Sequence, residues 1–168
     1  MSTADELARV VRARGVRVAV AESLTSGMLA SQVGSGEASS EWFAGGIVAY
    51  GTDVKERVLG LTPGTDPCSA ECATQLARGT RDLLQADVVV ATTGIGGPDP
   101  VEGHAPGTVY LGWAAPSGEG AMRMQLEGDP TAVLRATSDA ALDLLVRLAS
   151  GEPPQPEALS RPRDAGRP

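Results

Sequence analysis

Apolar positions along this chain change their period several times, and each change predicts an element. In the run from Glu6 to Arg14, Leu7, Val10 and Val11 fall on one helical face, and Gly15 ends the run. Val16 to Ala21 is short and mostly apolar, as a buried strand is. The polar break Glu22-Ser23-Leu24-Thr25-Ser26-Gly27 follows, and a helix is predicted from about Ser26 to Val33. Gly34 to Glu41 is a small-residue loop, and Gly46 to Tyr50 reads as the next strand. Thr52 is placed to cap a short helix through Leu59. Pro63 and Gly64 centre a turn from Thr62 to Asp66. Ser69 caps a longer helix to about Leu84, with Ala73, Leu76, Ala77 and Leu83 on its buried side.

Asp87 to Thr92 carries the strongest strand pattern and ends in Thr93-Gly94-Ile95-Gly96-Gly97-Pro98. Thr108 to Ala114 and Ala121 to Leu126 flank the turn Pro116 to Gly120 and predict an antiparallel hairpin. Asp129-Pro130 opens the last helix, which runs to about Leu148. Helices interleaved with buried strands predict an α/β fold: a three-layer α/β/α arrangement with a mixed, mostly parallel sheet and one antiparallel hairpin. Residues 1–150 are expected to form one domain. Residues 151–168, rich in Pro, Arg and Glu, are expected to be a disordered tail.

Composition narrows the function. The apolar share of 42 % supports a core built from Val, Leu and Ala, because only one Phe, two Trp and two Tyr are present. A net charge of −7 with no basic stripe disfavours nucleic acid as a partner. No apolar run is long enough to span a membrane, and the polar, acidic start is unlike a signal peptide, so a cytoplasmic protein is expected. Cys68 and Cys72 stand four apart; with one histidine in the chain they cannot complete an ordinary zinc set, and they read as small buried hydrophobes. His104 reads as a solvated loop residue.

Candidate chemistry gathers at three polar breaks that follow strands, where α/β sheets collect ligand groups. Gly94, Gly96 and Gly97 allow backbone to approach a ligand. Ser23, Thr25, Ser26 and Gly27 precede a helix whose N-terminus favours an anion such as phosphate. Neither break has the spacing of a P-loop or a dinucleotide fingerprint. Lys55 is the only lysine beside thirteen arginines. An amine, unlike a guanidinium, can be tuned to act as a base near neutral pH. Its place in the first turn of a helix, with partial burial, disfavours the ammonium, and the neutral amine could then take a proton from Ser23. Tyr50 could donate or relay a hydrogen bond across the same cleft.

Four segments resemble a known family. Ala21-Glu22-Ser23-Leu24-Thr25-Ser26-Gly27, Tyr50-Gly51-Thr52-Asp53-Val54-Lys55, Thr93-Gly94-Ile95-Gly96-Gly97-Pro98 and Pro106-Gly107-Thr108-Val109-Tyr110 are similar to motifs of the CinA C-terminal domain family. The chain departs from the family pattern at Leu24, Ser26, Gly51, Thr52 and Pro130. The resemblance implies hydrolysis of the carboxamide of nicotinamide mononucleotide, with Ser23 as nucleophile, Lys55 as activating base and Tyr50 as the associated tyrosine. It also implies that the substrate meets Glu22, Thr25, Ser26, Gly27, Thr52, Thr93, Gly94, Gly96 and Gly97. Arg135 is expected as a charge partner for phosphate. The implied reaction needs no metal or redox cofactor, and a homo-oligomer is expected.

Overall fold

The computed structural model describes residues 1–155. Helix α1 (Thr3–Arg14) starts earlier than its apolar face predicts. Ser2 and Asp5 form a capping box: Asp5 N donates to Ser2 Oγ at 3.1 Å, and Ser2 N donates to Asp5 Oδ2 at 3.1 Å. Strand β1 (Val18–Glu22) is buried at all five positions. Helices α2 (Met28–Gly34) and α3 (Ser39–Trp42) lead into strand β2 (Phe43–Val48). Helices α4 (Thr52–Leu59) and α5 (Ala70–Leu84) then lead into β3 (Val88–Gly94). The hairpin of β4 (Thr108–Ala115) and β5 (Gly118–Gln125) precedes the closing helix α6 (Pro130–Ala149).

The sheet order is β2-β1-β3-β4-β5. β1 pairs in parallel with β2 and with β3, while β3–β4 and β4–β5 pair antiparallel. β4 therefore runs alone against the other strands. The result is the expected three-layer α/β/α fold with a mixed sheet.

Strand alternation builds two unlike layers. One face of β1 and β3 presents Val18, Val20, Val88 and Val90 to a cluster that includes Leu7 and Val11 of α1, Leu29 of α2 and Leu144 and Leu145 of α6. The other face presents Ala19, Ala21, Val89 and Ala91 to Leu59 of α4 and Leu76 and Ala77 of α5. Small side chains on that second face let α5 approach the sheet closely. Gly112 of β4 marks the limit, since a Cβ there would collide with the Ala73 carbonyl group of α5.

This layering positions the site. The α2–α3 crossover leaves β1 on one face, and the α4–α5 crossover covers the other. Chain directions thus diverge at the C-terminal ends of β1 and β3, the place where open α/β sheets form a crevice.

Several boundaries differ from the expectations. Helix α3 lies in the segment read as a loop. It has four residues and little apolar periodicity, but Trp42 is buried and its Nε1 donates to the Glu37 carbonyl at 3.0 Å. Thr52 does not cap α4: Gly51 holds the cap position in extended conformation, without a side-chain bond, and Thr52 is the first helical residue. Helix α2 starts at Met28 rather than Ser26, because Ser26 and Gly27 both have positive φ, 50° and 101°. Of the expected tail, residues 156–168 lie outside the described residues, while Gly151 and Glu152 still bond back to the end of α6.

Candidate active site

The C-terminal end of β1 delivers Ser23. Its amide donates to the Thr92 carbonyl at 3.1 Å, which extends the β1–β3 ladder by one residue and fixes the backbone. Thr25 Oγ1 and Thr92 Oγ1 share a buried hydrogen bond of 2.8 Å that ties the following turn to β3. Ser23 borders a cavity of about 530 Å³ together with Ser26, Tyr50, Thr52, Lys55, Thr93, Gly94, Gly96 and Gly97. That volume lies within the range of small-molecule sites.

Lys55 is 3 % exposed, one turn into α4. Its Nζ donates to the Tyr50 carbonyl at 3.0 Å. Burial pushes its pKa down, opposed by the neighbouring Cys72 thiol, and no carboxylate offsets the loss of water. An ammonium held this way is disfavoured, so the neutral amine is more accessible than in an ordinary lysine. Tyr50 contributes its carbonyl to this contact, while the residue as a whole is 67 % exposed. Tyr50 also lines the cavity.

Thr93 Oγ1 donates to the Pro67 carbonyl at 2.6 Å and so fastens the end of β3 to the start of the α5 cap. Gly94 has φ 147°, and a Cβ there would strike the Thr108 carbonyl, so only glycine allows β3 and β4 to meet at this point. Among the described residues the amides of Leu24, Gly96 and Gly97 donate to no backbone or side-chain acceptor. They are available N–H groups of the cavity wall, as is that of Thr52 at the uncapped start of α4.

Four expected substrate-binding residues are not among those lining the cavity: Glu22, Thr25, Gly27 and Arg135. Glu22 is 1 % exposed, and its carboxylate accepts from Leu29 N at 2.9 Å and Ala30 N at 3.0 Å. The anion at the N-terminus of α2 is therefore the protein's own side chain, in place of the phosphate expected there. Arg135 is exposed on α6, and the helix turns Leu134 and Pro130 toward the cavity instead.

The structure adds residues to the cavity that the sequence did not assign to it. Asp66, Cys68, Glu102 and His104 line the same cavity. His104 is no free loop residue: Val101 and His104 exchange backbone bonds of 3.1 and 2.9 Å across a tight turn, and Glu102 and Gly103 have positive φ. Its Nε2 lies 2.8 Å from Asp66 Oδ2. The Gly at 103 is the one sequence signal of that turn. Cys68 and Cys72 are free and buried, as expected, and burial pushes both thiols up to about 11. Both are thus held as neutral thiols, poor nucleophiles near pH 7.

Comparison with known proteins agrees with this fold. The CinA C-terminal domain matches residues 1–149. A putative competence-damage inducible protein of Bacillus velezensis is 35 % identical over 88 % of this chain and 36 % of its own length. A CinA-like protein of Frankia casuarinae is 38 % identical over 83 % of this chain and 33 % of its own. The chain thus spans about a third of the length of these relatives. Among solved structures, a CinA superfamily protein from Enterobacter cloacae superposes with a TM-score of 0.84 at 31 % identity, covering 88 % of this chain and 90 % of that one. One from Klebsiella pneumoniae also reaches 0.84, at 27 % identity, covering 89 % and 96 %.

Proposed function

Because this chain belongs to the CinA C-terminal domain family, we propose that it is an amidohydrolase acting on a small carboxamide, with Ser23 as nucleophile and Lys55 as base. The observation that carries this reading is Lys55 itself: a lysine 3 % exposed, with depressed pKa and no carboxylate to offset its burial, on the wall of the cavity that Ser23 borders. A buried amine of this kind destabilises the fold and is more often found where a reaction uses it.

The steps follow from that pair. Neutral Lys55 takes the Ser23 hydroxyl proton as Oγ bonds to the amide carbon. The carbonyl oxygen becomes an oxyanion, and the free amides of Leu24, Gly96 or Gly97 are donors within the cavity wall. The Lys55 ammonium then returns its proton to the leaving nitrogen, the C–N bond breaks, and ammonia departs. Water, deprotonated by the amine, attacks the acyl-serine; the C–Oγ bond breaks, Lys55 returns the proton to Ser23 Oγ, and the acid is freed. Lys55 Nζ donates to the Tyr50 carbonyl, and as a neutral amine it keeps its lone pair for the Ser23 proton.

The resemblance names nicotinamide mononucleotide as the first amide to test. Ammonia release is to be measured over a panel of carboxamides with wild type, Ser23→Ala and Lys55→Ala. Release by wild type alone supports the assignment. Equal release by all three would remove Ser23 and Lys55 from the mechanism. The Lys55–Tyr50 contact also favours a second reading, a binding domain without turnover, for which the whole panel stays silent.

A further inference from the structure

The connection from β3 to β4, residues 95–107, carries Gly96, Gly97 and His104 along the edge of the cavity. Its two ends are fixed to the sheet. Ile95 N donates to the Thr108 carbonyl and Gly107 N to the Ile95 carbonyl, both at 2.8 Å. Gln125 Nε2 of β5 donates to the Pro106 carbonyl at 2.9 Å. Between these ends little holds the backbone. Among the described residues, 96–100 make no hydrogen bond to any part of the chain. The turn from Val101 to His104 closes on itself through its two backbone bonds. Among the described residues, one hydrogen bond carries that turn to the rest of the molecule: His104 Nε2 lies 2.8 Å from Asp66 Oδ2.

The Asp66 side of that bond is braced. Asp66 Oδ1 accepts from Cys68 N at 2.9 Å, and the Asp66 carbonyl accepts from Ser69 Oγ, the cap of α5, at 2.7 Å. The adjoining Pro67 carbonyl holds Thr93 Oγ1 at the end of β3. Asp66 thus stands on a turn tied to a helix and to the sheet. The imidazole that reaches it joins the two connections that form the rim. Donors to an oxyanion help in so far as they are already in place when charge develops. The free amides of Gly96 and Gly97 lie in the stretch without bonds of its own, so their place depends on what ties the segment down at either side.

We propose that His104 is a positioning residue: its bond to Asp66 straps residues 95–107 across the rim and so fixes the Gly96 and Gly97 amides for an oxyanion formed at Ser23. The oxyanion role rests on the amidohydrolase reading; the strap does not.

Cys68 can report on the strap. It lines the same cavity, is 4 % exposed, and its Sγ donates to the Thr108 carbonyl at 3.8 Å, where the segment re-enters the sheet. Cys72 is fully buried and serves as internal control. Maleimide alkylation of the full chain, mapped by peptide mass, should be at least about tenfold faster at Cys68 in His104→Ala than in wild type, with Cys72 unchanged. His104→Gln, whose side-chain N–H can stand where Nε2 does, should restore the wild-type rate. An unchanged rate at Cys68 overturns the strap. So does a rise shared equally with Cys72, which reports unfolding of the whole domain. A His104→Gln that behaves as His104→Ala does the same, since the bond would then not be the cause. The same three proteins are to be labelled with a fluorophosphonate. His104→Ala should slow the reaction at Ser23 by about tenfold, and His104→Gln should recover it. Equal labelling of Ser23 in all three overturns the positioning role and leaves the nucleophile standing. A wild-type Ser23 that does not label removes the amidohydrolase reading and the positioning role with it, and Cys68 then decides the strap alone.

Discussion

The cavity has two walls built by different physics. The inner wall comes from the ends of β1 and β3 and the first turn of α4, where Ser23, Lys55 and Thr93 are all under 9 % exposed and the backbone is held by ladder bonds or by Thr93's bond to Pro67. The outer rim comes from two connections and presents Asp66, Glu102 and His104 to solvent, joined by the single His104–Asp66 contact. Reactivity can be tuned by desolvation only on the first wall; the second can act on a ligand only through charge and shape. Substitutions on the two walls should therefore fail in different ways.

The largest effects belong to the inner wall. Ser23→Ala and Lys55→Met should each lower kcat for amide hydrolysis by about a thousandfold or more, with little change in ligand affinity. Matched kinetics and calorimetry on one amide check this. A loss confined to affinity would place both residues in binding alone.

This division also explains how much was legible in sequence. The inner wall announces itself, because Val88 to Thr92 and Val18 to Ala21 are apolar runs that stop at hydroxyls and glycines, and a lone lysine follows the next strand. Helices interleaved with these buried strands likewise foretell the helical layers. The rim is different. His104 and Asp66 are 38 residues apart, and nothing local marks their meeting. Glu22 was misplaced for a related reason: it stands in the motif beside Ser23, but a strand side chain alternates faces, so Glu22 turns inward to α2 while Ser23 reaches the cavity. Thr52 follows the composition rule for a cap, yet the chain enters α4 through an extended Gly51 instead.

Next in size is the support beneath the inner wall. Glu22→Ala leaves the Leu29 and Ala30 amides without their acceptor and empties a buried site. It should destabilise the fold by about 2–3 kcal/mol, read from urea unfolding, and Glu22→Gln should recover part of that. An unchanged midpoint for Glu22→Ala would show that the carboxylate does not hold α2.

A smaller effect of opposite sign tests the burial of Lys55. Since burial lowers its pKa in the folded state, the unfolded chain binds more protons between that depressed value and the ordinary lysine value. Stability contributed through this group should thus rise with pH across that window, with the full penalty present below it. Lys55→Met should stabilise the fold near pH 7 by about 1 kcal/mol while abolishing hydrolysis, and the gain should shrink as pH is raised through the window. A destabilised Lys55→Met with unaltered pH dependence would count against a strained amine.

The rim should give the least. His104→Ala removes one partly exposed pair and should change stability by no more than about 1 kcal/mol. A larger loss in the same urea assay would make the turn around Glu102 part of the core's support, and the contrast between the walls would fail.

The central claim is that Lys55 activates Ser23, and it can be tested without knowing the substrate. A fluorophosphonate reacts with activated serines. Peptide mass mapping after labelling should find the adduct on Ser23, and Lys55→Met should slow that labelling by at least about a hundredfold. Labelling elsewhere, or an equal rate on Ser23 in both proteins, would contradict the account.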